Sequence, residues 1–170
     1  LGEAFALFSE NERAMRIVAE AMVELGEGEA TELVARPENE AEYMTLARRK
    51  TGVLFRAAAE LGAVAGGADA FTIESLGDYA ERVGVAFQIR DDVLDATADA
   101  AALGKPTGQD AEMDRPSLVQ VTNLSPEAAN DRAQRASNRA LAALSTADTE
   151  AVDAVEYLQD LAEFVVVRER

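Results

Sequence analysis

Three aspartates, Asp91, Asp92 and Asp95, form the pattern D-D-x-x-D within a stretch of helical periodicity. On a helix, positions i, i+1 and i+4 set the carboxylates in one arc, with the outer two a single turn apart. Such oxygen donors suit Mg²⁺, which takes few carboxylates and keeps water and phosphate oxygens as its other ligands. Glu81, Gly84 and Gln88 fall on the same side of that helix, within about 100° of the aspartates. The rest of the circumference is largely apolar, with Val83, Val85, Ala86, Phe87, Ile89, Val93 and Leu94 interrupted by Arg82 and Arg90. The acidic stripe therefore faces either bulk water or an internal water-filled cavity, and spacing leaves both open.

The basic residues narrow the chemistry. Fourteen of the sixteen are Arg, and the two lysines are Lys50 and Lys105. A lysine kept in an arginine-using chain points to a place where a compact ammonium is needed and a planar guanidinium does not fit. The alternative is that both lysines are solvated. Lys105 follows the acidic cluster in Gly104-Lys105-Pro106-Thr107-Gly108, and Lys50 opens an apolar helix. An ammonium beside a Mg²⁺–carboxylate cluster would suit a diphosphate group. The glycine loop lacks the G-x-x-x-x-G-K-[ST] order of a Walker loop.

The chain has no cysteine and no histidine, which excludes disulfides, thiolate metal sites, thiol nucleophiles and a Ser-His-Asp triad. Acids outnumber bases 32 to 16, for a formal charge of −16, which repels nucleic acid and anionic membranes. Scarce lysine, abundant acid and small apolar side chains read as adaptation to high salt. The alternative is an Arg- and Ala-rich coding bias with an acidic surface. No apolar run approaches the ~18 residues of a membrane span, and no signal peptide is recognisable, so a cytoplasmic protein is expected. The first residue, Leu1, already lies in an apolar helical pattern, which suggests a piece of something longer.

The elements that must position these residues are all helical, in one all-α unit over 1–170. Residues 2–8 read as a helix tail. Ser9 with Glu12 reads as a capping box opening a helix through Leu25, with Gly26 and Gly28 within or near its end. Arg36–Asn39 is a turn, followed by a helix carrying Tyr43, Leu46 and Ala47 towards Lys50. Residues 51–65 form an apolar helix stopped by Gly66 and Gly67, and Thr72 caps the next, which reaches about Ala98. Pro116 starts a short apolar segment to Val121, Ser125 caps another helix, and the last runs from about Thr149 to Val167.

The segment Phe87-Gln88-Ile89-Arg90-Asp91-Asp92-Val93-Leu94-Asp95, followed by Leu103-Gly104-Lys105-Pro106 and Asp110, resembles the second aspartate-rich region of trans-polyprenyl diphosphate synthases. Tyr43 with Lys50-Thr51 and Leu54 is similar to that family's lysine–threonine segment, and Gly28–Leu33 occupies the place of its G-Q-x-x-D-L segment. Order and spacing agree over residues 26–118. The resemblance implies the C-terminal portion of an isoprenoid-synthase helical bundle of the short-chain geranylgeranyl or farnesyl type, haloarchaeal in character. Its reaction is the Mg²⁺-dependent head-to-tail condensation of isopentenyl diphosphate with an allylic diphosphate, and the intact protein is expected to be a homodimer.

The same resemblance assigns roles. Asp91 becomes the main Mg²⁺ ligand, with Asp92 and Asp95 supporting metal and water positions. Lys50 and Lys105 contact the allylic diphosphate, Thr51 sits beside it, and Gln88 lines the reaction cavity. Phe87 packs near the isoprenoid or simply in the core, and Glu32 matches an aspartate near the reacting diphosphate or is a solvated acid. Three departures stand out. Glu29 replaces the family's usual Gln, and Arg115 replaces a second loop lysine of many members. The first aspartate-rich cluster, its Arg partner and the Gly-Lys-Arg segment that binds isopentenyl diphosphate belong before residue 1. The competing reading is a non-catalytic small subunit that completes or regulates a prenyltransferase partner. A terpene cyclase or squalene-synthase-like relative is disfavoured by the lysine–threonine segment and Gly104-Lys105-Pro106.

Overall fold

Periodicity of 3.6 is realised throughout the computed structural model, which describes residues 7–101, 116–149 and 151–169. The helices are α1 (Glu12–Val34), α2 (Glu40–Ala47), α3 (Val53–Ala65), α4 (Ala70–Ala101), α5 (Leu118–Thr122), α6 (Pro126–Leu144) and α7 (Val152–Val167). Between α2 and α3, Arg48–Gly52 forms a π-helical turn without a break in the chain's course. The described residues thus form an all-α bundle, as expected.

The long helix α4 is its axis, packing against α6 and α3 and, less extensively, against α7. Its inward side chains Val83, Ala86, Ile89 and Val93 are at most 3% exposed. They meet a stripe of alanines on α6, Ala129, Ala133, Ala136 and Ala140, closed by Leu144 and spaced three and four apart. Alanines there let two helix backbones approach closely, so a modest number of large side chains fills the core. Ser137 donates to the Ala162 carbonyl (2.7 Å) and Tyr79 to the Leu158 carbonyl (2.6 Å), which ties α7 to both helices. Burial pushes the Tyr79 hydroxyl up to about 12, so it remains a donor at any ordinary pH.

Two close approaches set the site. A Cβ at Gly84 on α4 would lie 2.9 Å from the Gly52 Cα, so the π turn rests directly on α4. A Cβ at Gly28 on α1 would come within 3.0 Å of the Arg49 Cβ and 3.1 Å of the Lys50 Cγ. Of the two placements left open for Gly26 and Gly28, the one within the helix holds, and α1 continues to Val34. An interior glycine costs about 1 kcal/mol relative to alanine, and packing against the π turn outweighs it.

The helix starts also differ in detail. Asn11, not Ser9, caps α1, accepting from the Ala14 amide at 3.0 Å. Asp69, not Thr72, caps α4, accepting the Thr72 amide at 2.7 Å, and the Thr72 hydroxyl turns to the Asp148 carbonyl. In both places two good capping residues lie close together, and the one immediately outside the first helical turn wins. Pro116 precedes the cap Ser117 of α5, and α7 begins at Val152. Ser125 caps α6 as expected. Of the apolar residues of α7, Val152 and Phe164 are largely exposed, whereas Val155, Leu158 and Leu161 pack against the core. The expected helix over residues 2–8 falls mostly outside the described residues.

Candidate active site

The π turn brings Arg48, Arg49 and Lys50 against an acidic ladder on α1. Arg48 pairs with Glu24 at 3.1 Å, and Arg49 with Glu24 at 3.4 Å and Glu27 at 3.2 Å. Lys50 ends the series, its Nζ 2.5 Å from Glu32 Oε2 and 3.4 Å from Glu29 Oε1. Glu29 and Glu32 come within reach of the π turn because α1 persists beyond its glycines. Glu29, the departure from the family pattern, thus supplies a second anion to Lys50.

Thr51, the next residue of the π turn, donates its hydroxyl to Gln88 Oε1 at 2.8 Å. The other end of that amide, Gln88 Nε2, donates to Asp92 Oδ1 at 3.2 Å. Asp92 Oδ2 in turn accepts from the Tyr43 hydroxyl and from the Leu118 amide, each at 2.6 Å. This chain of hydrogen bonds joins α2, the π turn, α4 and α5. Three of its members, Tyr43, Gln88 and Asp92, line a cavity of about 100 Å³ together with Glu32, Leu46, Ala47, Lys50 and Pro116. The sequence-predicted residues Lys50, Thr51 and Gln88 therefore come together, and Glu32 joins them.

The acidic stripe divides. Asp92 is 2% exposed, with both its oxygens accepting hydrogen bonds. Asp91, one residue earlier and about 100° round the helix, keeps a side chain 41% exposed, and Asp95 is exposed a turn further on. The choice that spacing left open is answered differently for neighbours: Asp92 turns to the cavity, and Asp91 and Asp95 to solvent. Among the described residues no three acidic side chains converge as a metal cage. The donor chemistry of Asp91 and Asp95 nevertheless fits Mg²⁺, since two carboxylate-bearing positions a turn apart leave room for water and phosphate ligands.

One contact at this edge escaped the sequence reading. The Arg168 guanidinium, just beyond α7, pairs with Asp91 Oδ1 and lies over the Phe87 ring, 4.0 Å from its centre. Phe87 itself packs against Phe55, with ring centres 5.8 Å apart. No periodicity or motif marks residue 168, which is 77 positions from its partner. Its place directly after an apolar helix end, in a chain with twice as many acids as bases, is the signal the sequence offers. Lys105, together with Gly104, Pro106, Asp110 and Arg115, lies outside the described residues.

With this geometry in place, the likeness to known proteins is specific. The polyprenyl synthetase family model matches residues 2–162. A short chain isoprenyl diphosphate synthase from Methanocaldococcus jannaschii is 36% identical over 128 residues, 72% of this chain and 39% of that protein. The decaprenyl diphosphate synthase of Rhodobacter capsulatus superposes with a TM-score of 0.84 at 28% identity, covering 99% of this chain and 64% of its own. A polyprenyl synthase of Caulobacter crescentus, solved with calcium and isoprenyl diphosphate, gives 0.82 at 28% identity, with 99% and 63% covered. The fold and site define an isoprenoid-synthase helical bundle. The chain belongs to the polyprenyl synthetase family, and its matching segment spans about two-fifths of the curated relative's length.

Proposed function

We propose that this chain is the C-terminal part of a polyprenyl diphosphate synthase that condenses isopentenyl diphosphate with an allylic diphosphate. The observation that carries the reading is that Lys50 and Gln88 line one cavity beside the acidic helix, with the Thr51 hydroxyl bonded to Gln88. In the reaction, the bond from the allylic carbon to diphosphate breaks while the double bond of isopentenyl diphosphate forms a new carbon–carbon bond. Loss of a proton then leaves a chain five carbons longer. The main electrostatic demand is the charge on the departing diphosphate.

Lys50 meets that demand by exchanging the carboxylates of Glu29 and Glu32 for phosphate oxygen, supported by Lys105. The Thr51 hydroxyl and the Gln88 amide orient the same end of the substrate. Asp91 and Asp95 would hold Mg²⁺, which supplies charge neutralisation of the diphosphate when bound. Asp92 contributes by fixing Gln88 and the start of α5 from the cavity wall. The Caulobacter relative, with its calcium and isoprenyl diphosphate, supports this pairing of a divalent cation with a prenyl diphosphate.

Among the described residues no helix is long and apolar enough to cross a membrane. A cytoplasmic homodimer of the complete protein, from a salt-adapted cell, accords with the family and the −16 charge. The test is prenyl elongation by the full-length protein, with labelled isopentenyl diphosphate and an allylic diphosphate in Mg²⁺ and molar salt. Asp91→Ala is expected to lower kcat by orders of magnitude with the helical content intact, and the isolated 170-residue chain to make no product. An unaffected rate in Asp91→Ala would contradict the assignment. A full-length protein inactive alone but active on adding a second synthase chain would favour the regulatory-subunit reading.

A further inference from the structure

We propose that Arg168 is a built-in competitor for the cation site, holding Asp91 closed until a divalent ion displaces it. The inference rests on the reading of Asp91 as a metal ligand. The Arg168 side chain is only 11% exposed. Its Nη2 donates to Asp91 Oδ1 and, at 3.4 Å, to the Phe87 carbonyl one turn earlier on α4. The Phe87 ring supports the cation's flat face at 4.0 Å.

The backbone beneath this contact is separately anchored. Arg90 Nε and Nη2 both donate to the Arg168 carbonyl, at 3.1 and 2.7 Å, while Arg90 Nη1 donates to Asn130 on α6 at 3.1 Å. The segment after α7 is therefore fixed by its main chain, and the Arg168 side chain can swing without undocking it. The guanidinium is also imperfectly satisfied, since Arg168 Nε is buried with no hydrogen-bond acceptor among the described residues. A buried donor left unmet weakens the closed state. That makes the contact exchangeable rather than permanent.

A guanidinium held against Asp91 repels a second cation from the same carboxylate, so arginine and metal ion oppose one another there. Arg168 also balances Asp91 while the metal is away, in a chain with twice as many acids as bases. The structure thus assigns Arg168 the part of a latch on the metal edge, distinct from the diphosphate-facing Lys50.

The test is Mn²⁺ binding followed by electron paramagnetic resonance on the full-length protein, with and without inorganic diphosphate. Arg168→Gln is expected to bind Mn²⁺ alone about five- to tenfold more tightly than wild type. Arg168→Lys, which keeps the charge without the planar fork, is expected to fall between them. Asp91→Asn should bind weakly whether residue 168 is Arg or Gln. Equal or weaker Mn²⁺ binding by Arg168→Gln, with Asp91→Asn still impaired, overturns the latch and leaves the metal site standing. Should Asp91→Asn match wild type with and without diphosphate, the metal reading falls and the latch with it.

Discussion

Two cations six residues apart on one helical course are held in opposite ways. Arg56 on α3 spreads its guanidinium over Glu60 at 2.7 Å, Glu74 at 2.6 Å and Asp78 at 2.7 Å, with Glu81 at 3.7 Å. Every arm of the fork is taken, and the group stays charged: burial opposes this, but hydrogen bonds to Asp78 and Glu74 raise its pKa further. Lys50 instead holds a single ammonium between Glu29 and Glu32 at the mouth of a polar cavity. A planar fork suits a permanent junction among fixed acids, whereas a rotatable ammonium can trade one oxygen for another. The difference gives a physical reason for a lysine at position 50 in a chain where fourteen of sixteen basic residues are arginine.

The sharpest way to break that comparison is to truncate both cations. Lys50→Ala should lower kcat/KM of the full-length protein about 10²–10³-fold while its melting temperature barely moves. Lys50→Arg should recover only part of the loss, as steady-state kinetics would show. Arg56→Ala should do the reverse: activity per folded molecule within a few fold of wild type, and stability lower by about 2 kcal/mol in a denaturant titration. If Arg56→Ala lost activity without losing stability, the two cations would not divide the work this way.

The hydrogen-bond chain beside Lys50 predicts a smaller effect. Tyr43→Phe removes one of two hydrogen bonds to Asp92 Oδ2 and should destabilise by about 1 kcal/mol. The Leu118 amide keeps the buried carboxylate partnered, so thermal melting should remain cooperative.

The smallest effect is on pH dependence within the Arg56 junction. Burial raises the Glu60 pKa above 4.5, only partly offset by Arg56. Asp78 moves the other way: burial opposes ionisation, but hydrogen bonds from Arg56 and Arg82 hold it below 3.8. Glu60 thus contributes stability below its unfolded pKa that is lost as pH rises through the folded value. Asp78 contributes above 3.8 and loses that as pH falls through its folded value. Melting temperatures of wild type and Glu60→Gln should therefore converge or cross in favour of wild type as the pH is lowered through the region just above 4.5. A gap that widened against wild type on acidification would reverse the assigned sign for Glu60.

Much of this arrangement was legible in the sequence because helices announce themselves by period. The apolar faces of α3 and α4, the cap at Ser125 and the association of Lys50-Thr51 with Gln88 follow from spacing and the family likeness. What stayed hidden depends on contacts distant along the chain. The π turn at Arg48–Gly52 has no local signature; it is set by Gly52 meeting Gly84. Helix α1 outlasts Gly26 and Gly28 because Arg49 and Lys50 pack on it. Neighbouring aspartates look alike in sequence, yet Tyr43 and the Leu118 amide draw Asp92 inward and Arg168 claims Asp91.

The most direct test of the central claim is calorimetric titration of an allylic diphosphate, with Mg²⁺, into full-length wild type, Lys50→Ala and Arg56→Ala. The account predicts binding by wild type and Arg56→Ala with similar affinity, and binding weaker by about tenfold or more in Lys50→Ala. Equal affinity in Lys50→Ala and wild type would show that this ammonium does not hold the diphosphate, and would contradict the site described above.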